Sequence, residues 1–138
     1  MGKILTKSQI EQYHKEGFIS PVRVMPEEDA LALREEIEEF EMSQGKPIHG
    51  TQKTKAFLRF SWAYDLVVNP KVLDIVEDLI GPDILCYQHG IWFKEPESGS
   101  YVSWHQDATY YGMNPWELLS AWVALTPVNE VSGCIQVI

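Results

Sequence analysis

The pattern of the chain changes at Gly81-Pro82, and that change limits what it can fold into. Before it, apolar residues recur at helical spacing between capping residues; after it, they fall into short β-rich runs separated by turns. Thr6-Lys7-Ser8-Gln9 fits a capping box, which opens a helix to about Glu16 with Gly17 as its stop. Pro26 suits the first turn of a second helix, whose positive end is favoured by Glu27, Glu28 and Asp29. Ala30, Leu33, Ile37 and Phe40 carry that helix to about Met42, while Glu35, Glu36, Glu38 and Glu39 form a solvated face. Residues 43–55 are polar, contain Gly45, Pro47 and Gly50, and are expected to form a loop. Asn69-Pro70 caps a third helix, whose stripe of Val72, Leu73, Val76, Leu79 and Ile80 stops at Gly81.

Beyond Pro82, strands are expected over 84–93, 101–107, 118–126 and 134–138. Helices first and strands after predict an α+β fold with an antiparallel sheet. One domain is expected over 1–138, mainly helical over 1–82 and strand-forming over 83–138. The run Cys134-Ile135-Gln136-Val137-Ile138 has no charged edge or turn of its own. A strand that apolar is expected to have a neighbour on each side, so the chain is expected to be a fragment of a longer barrel protein.

The net charge of -9 over 138 residues argues against nucleic acid or an anionic membrane as partner, since both favour basic surfaces. No apolar run is long enough to cross a bilayer, and the first residues contain no apolar stretch of the secretory type. Cys86 and Cys134 sit in apolar runs and are expected to be buried free thiols of a reducing compartment, with the cytoplasm as the default address.

The chemistry concentrates in Trp104-His105-Gln106-Asp107. On a strand, residues i and i+2 share a face, so His105 and Asp107 are expected side by side. An imidazole and a carboxylate are two of the three ligands of a 2-His-1-carboxylate iron site, which leaves its other positions open. No histidine follows position 105. Of the earlier ones, His14 lies on a polar helix and His49 in a loop; His89, on the first expected strand, is either a packed core residue or a third ligand. A His-Asp pair hydrogen-bonded on a sheet surface, without metal, is the plainer alternative. Phe57, Phe60, Trp62, Tyr110, Tyr111 and Trp116 either line the mouth of a pocket for an apolar or flat substrate or simply pack there.

From Gly81 onward the chain resembles the phytanoyl-CoA dioxygenase family of Fe(II)/2-oxoglutarate oxygenases. The resemblance rests on Gly81-Pro82-Asp83-Ile84-Leu85, Phe93-Lys94-Glu95-Pro96, Trp104-His105-Gln106-Asp107, Ala121-Trp122-Val123-Ala124-Leu125-Thr126 and Ser132-Gly133-Cys134-Ile135-Gln136-Val137-Ile138, in family order. Leu5-Thr6, Tyr13 and Gly17-Phe18 extend it towards the N-terminus; residues 43–61 carry it least. It implies a double-stranded β-helix (jelly-roll) core with N-terminal helices packed on it, incomplete in this chain. It implies His105 and Asp107 as Fe(II) ligands, and Gln106, Trp122 and an upstream lysine, Lys55 ahead of Lys53, as contacts for the co-substrate 2-oxoglutarate.

The implied reaction uses O2 and 2-oxoglutarate to hydroxylate a small organic substrate, releasing succinate. A carboxylate at position 107 favours hydroxylation over the halogenation of relatives that carry a small residue there. The family's distal histidine and its 2-oxoglutarate-anchoring arginine have no counterpart here, since Arg23, Arg34 and Arg59 all lie upstream. With two protein ligands the chain alone is expected to bind iron weakly and to lack turnover. The alternative from another class is a non-catalytic jelly-roll binding module that has lost the metal site.

Overall fold

A computed structural model describes residues 2–114 and 117–138. The first helix, α1 (Lys7–Glu16), begins and ends as its caps dictate. The Thr6 hydroxyl accepts from the Gln9 amide, the Gln9 side chain returns to the Thr6 amide, and Gly17 takes the left-handed conformation at φ 80°. Helix α2 (Glu27–Gln44) follows Pro26 and runs to Gly45, past the expected stop near Met42. Its acidic face is exposed as expected, with Arg34 paired to Glu38 one turn on at 2.6 Å. Helix α3 (Ser61–Val67) has no side-chain cap; it is held by the burial of Trp62 and Ala63. In α4 (Pro70–Ile80), Asn69 Oδ1 accepts from the amides of Lys71 and Val72, and Val72 and Val76 are buried.

The N-terminal segment is fastened to α4. Asp78 accepts the backbone amides of Lys3 at 2.6 Å, Ile4 at 2.9 Å and Leu5 at 2.8 Å. Those three donors hold its carboxyl below the ordinary carboxylate range, the Ile4 and Leu5 amides most strongly. Lys3 Nζ reaches Glu77 at 2.7 Å and Asp74 at 3.0 Å, which raises the lysine.

The core is built where α2, the 43–60 connection and α3 meet. Ile37, Ile48, Ala56, Trp62, Ala63 and Ile91 form one buried cluster, with Leu33, Phe40, Phe57, Phe60 and Leu125 packed against it. The polar connection is therefore more than a loop. It buries Ile48 and Ala56 and contains two short 3-10 turns, Gly50–Gln52 and Ala56–Leu58. Phe57, Phe60 and Trp62 are part of this packing, Phe60 stacking on Trp62 with ring centroids 5.4 Å apart. Of the two readings of those aromatics, packing is the one that holds for these three.

The four expected strands do not form among the described residues, and the jelly-roll core is not seen. A strand exists through its ladder, and the one bridge among the described residues pairs Thr54 with Gly90 in antiparallel sense. Lys55 N donates to His89 O at 2.7 Å and Ile91 N to Lys53 O at 3.0 Å, which ties the 53–55 stretch to the 89–91 stretch. The 101–107 run ends in a helix instead: α5 (Asp107–Tyr111), followed by Gly112 at φ 60°. Without facing layers, apolar side chains of the second half stay exposed, Leu85 at 84% and Tyr101 at 82%. Cys86, expected to be buried, is exposed for the same reason, while Cys134 is half-buried; both thiols are free. Among the described residues no helix is long and apolar enough to cross a membrane.

Candidate metal centre

His105 and Asp107 meet although the strand expected to carry them is absent. Gln106 keeps an extended backbone, φ -121° and ψ 126°, and one such residue is enough to return its two neighbours to the same side. His105 Nε2 lies 3.2 Å from Asp107 Oδ1, with both side chains about one-third exposed. The other ring nitrogen, Nδ1, lies 2.7 Å from the Ser103 carbonyl oxygen. A carbonyl only accepts, so Nδ1 carries the proton and Nε2 is the nitrogen turned to the carboxylate. Tyr110, one turn along α5, stands edge-on to the imidazole at 5.7 Å.

This arrangement has a chemical consequence. A neutral imidazole presents a lone pair at Nε2, and Asp107 Oδ1 presents another 3.2 Å away. Two lone pairs at that distance need a cation between them, either a proton or a metal ion. Donors about 2.1 Å from one first-row metal and at a right angle to each other are about 3 Å apart, close to the observed separation. Donation of the second ring N–H to a backbone carbonyl is the usual anchor of a metal-ligating histidine. The residues therefore fit a divalent metal of the Fe(II) type, with one nitrogen and one oxygen supplied by the chain.

Among the described residues no third histidine, cysteine or carboxylate completes the pair. His89 in particular is elsewhere. Its ring is edge-on to Phe57 at 6.4 Å, and its Nδ1 is buried with no hydrogen-bond partner among the described residues. Burial pushes its pKa down. His14 and His49 are exposed, as their surroundings predict for the first.

The other expected site residues divide into two groups. Gln106 caps α5 between the pair, and Trp122, half-exposed, lies two residues beyond Ser120, whose hydroxyl donates to Asp107 Oδ2 at 2.5 Å. The lysines sit on the bridged stretch: Lys53 Nζ lies 5.4 Å from the centre of the Phe93 ring, and Lys55 is exposed with a left-handed backbone at φ 52°. No hydrogen bond or ion pair among the described residues joins either lysine to the pair. Tyr110 is 72% exposed, Tyr111 packs edge-on to Tyr87 at 5.1 Å, and Trp116 falls outside the described residues. Ser120 escaped the sequence reading because it is 13 residues from Asp107. Its one signal was that it is the only polar side chain in the run 118–125.

Comparison with known proteins gives the pair a context. The family model for phytanoyl-CoA dioxygenase (PhyH) matches residues 13–138. The peroxisomal phytanoyl-CoA dioxygenase of Homo sapiens is 25% identical over 158 aligned positions, covering 98% of this chain and 47% of that protein. The L-proline trans-4-hydroxylase of Streptomyces griseoviridis is 22% identical, over 92% of this chain and 52% of that protein. The methylphosphonate hydroxylase of Gimesia maris is 27% identical, over 98% of this chain and 56% of that protein. The chain thus spans about half the length of these curated relatives. No solved structure matches it at the same stringency. With nearly its whole length matched by one family model, the chain belongs to the phytanoyl-CoA dioxygenase family.

Proposed function

We propose that this chain is the N-terminal part of a non-haem Fe(II)/2-oxoglutarate-dependent dioxygenase that hydroxylates a small organic molecule. The observation that carries the reading is the His105–Asp107 pair, 3.2 Å apart, with the histidine anchored through Nδ1 so that Nε2 faces the carboxylate. In this reading His105 and Asp107 hold Fe(II), and a further ligand comes from outside the described residues. When bound, the metal and 2-oxoglutarate supply the oxygen chemistry that no side chain can. The chain's own part is to fix the orientation of two ligands and to help shield the site. Gln106 lies between the two ligands and Trp122 two residues beyond Ser120, and in this reading both act at the co-substrate. Lys55, or Lys53 beside it, would supply a cation for a 2-oxoglutarate carboxylate once the two stretches approach.

A jelly-roll core built on residues 83–138 belongs to the same proposal. It would supply the facing layer that Leu85 and Tyr101 lack. The relatives are named for an acyl-CoA, an amino acid and a phosphonate, so the reading commits to hydroxylation of a small molecule and not to one substrate. The exposed Tyr110 beside His105 suits a substrate with an apolar or flat face. Two free thiols fit a reducing compartment such as the cytoplasm.

The test is anaerobic Fe(II) binding to the chain and to two variants. Saturable binding by the unaltered protein is expected, with loss of it in both His105→Ala and Asp107→Ala. Binding that is equal in all three proteins places the metal elsewhere, and a chain that binds no iron rejects the site as it stands in this chain; a complete gene without a later histidine and arginine supports the non-catalytic module.

A further inference from the structure

We infer that Ser120 is a positioning residue for the metal centre, acting through Asp107. This inference rests on the metal-site reading above. A carboxylate ligand has two oxygens and can turn about its Cβ–Cγ bond, so a ligand oxygen is aimed only if the other oxygen is held. Asp107 is held in that way. Its Oδ2 accepts the Ser120 hydroxyl at 2.5 Å, within the range of a charge-assisted O–H···O⁻ bond, while Oδ1 is left facing His105 Nε2.

His105 is fixed on its far side by the same logic, through Nδ1 and the Ser103 carbonyl. Each ligand therefore has one atom turned to the metal position and one atom tied to the protein. The two ties differ in origin. The Ser103 tie comes from the backbone two residues away and survives any side-chain change at that position. The Ser120 tie comes from a side chain 13 residues along, in the 118–126 stretch. It also fastens that stretch, with Trp122 on it, to the N-terminus of α5. Loss of the hydroxyl therefore frees the carboxylate to rotate, while the stretch itself stays held by Leu125 against the buried cluster.

Ser120 itself is exposed, so its replacement removes little packing. Partners that orient a metal ligand typically matter 10–100-fold in affinity. The probe is Mn(II) alone, a redox-inert stand-in, titrated into the full chain and followed by the electron paramagnetic resonance signal of the free ion. Ser120→Ala is expected to weaken Mn(II) binding about 10-fold or more. Ser120→Thr, which keeps the hydroxyl, should restore it. The thermal midpoint of the metal-free protein should be unchanged in both. If Asp107→Ala loses Mn(II) while Ser120→Ala binds as tightly as the unaltered chain, the positioning role is wrong and the metal site stands. If Asp107→Ala binds as tightly as the unaltered chain, the site reading fails and the role of Ser120 fails with it.

Discussion

Ile91 offers the sharpest test of how the two halves of the chain are joined. It lies beyond the change of pattern at Pro82, yet it is 8% exposed and belongs to the same buried cluster as Ile37, Ile48 and Trp62. Its amide donates to Lys53 O, so backbone and side chain anchor the same point. Replacing it with alanine deletes everything beyond Cβ. At about 0.8 kcal/mol for each buried carbon, the transfer loss is about 2.4 kcal/mol. The cavity left among Trp62, Ala63 and Ile48 adds to this, and the sum falls at about 3–5 kcal/mol. Val131→Ala is the control: at 99% exposure it should change stability by less than about 0.5 kcal/mol. Urea unfolding followed by tryptophan fluorescence reads both, since Trp62 reports on the cluster directly. The midpoint for Ile91→Ala should fall with little change in slope. A loss below about 1 kcal/mol, or one equal to that of Val131→Ala, would refute the claim that the 89–91 stretch is bolted to the helical core.

Two further predictions follow from titratable groups. Asp78, whose carboxyl is lowered by the Ile4, Leu5 and Lys3 amides, stabilises the fold above the ordinary carboxylate pKa, and that contribution fades as pH falls through its depressed value. Asp78→Asn should therefore flatten the acid-unfolding curve below about pH 4 and speed hydrogen exchange at Lys3, Ile4 and Leu5; unchanged exchange at those amides would show that the clamp is not formed. His89, lowered by burial, acts in the opposite sense from a paired histidine. The unfolded chain takes up the proton first, so stability declines as pH drops below about 6.5 and levels off only under the folded pKa. His89→Phe should remove that part of the decline and keep the edge contact with Phe57, and a pH profile identical to that of the unaltered chain would contradict the buried placement.

What could be read from the residues was what local chemistry decides. Thr6 with Gln9, Gly17, Asn69-Pro70 and Gly81 satisfy or stop a helix end by themselves, and α1 and α4 begin and end where those residues predict. Helix α3 carries no such mark. Phe60 offers no side-chain oxygen to its first turn, and the helix exists because Trp62 and Ala63 are buried against residues from α2 and the connection before it. That is a tertiary cause, invisible to a local window. The strands failed for a related reason. β-branched and aromatic runs report fitness for a half-buried sheet, and a sheet also needs neighbours. Among the described residues the runs find only the Thr54–Gly90 bridge, and Asp107 stands as the acidic first residue of α5.

The closeness of His105 and Asp107 does not depend on those strands. One extended residue, Gln106, sets the spacing of His105 and Asp107, and the Ser103 carbonyl selects the ring nitrogen. Neither condition needs a sheet. Lys55 differs: no hydrogen bond or ion pair among the described residues joins its stretch to the pair, whereas the stretch that carries Trp122 is tied to Asp107 through Ser120. The proposed centre therefore divides by range: the two ligands are set within three consecutive residues, the aim of Asp107 by Ser120 at middle distance, and the lysine lies on a separate stretch, 53–55, tied to 89–91. On that division, metal affinity should respond to changes at His105, Asp107 and Ser120 in this chain, whereas changes at Lys55 should leave metal affinity untouched and act on 2-oxoglutarate alone.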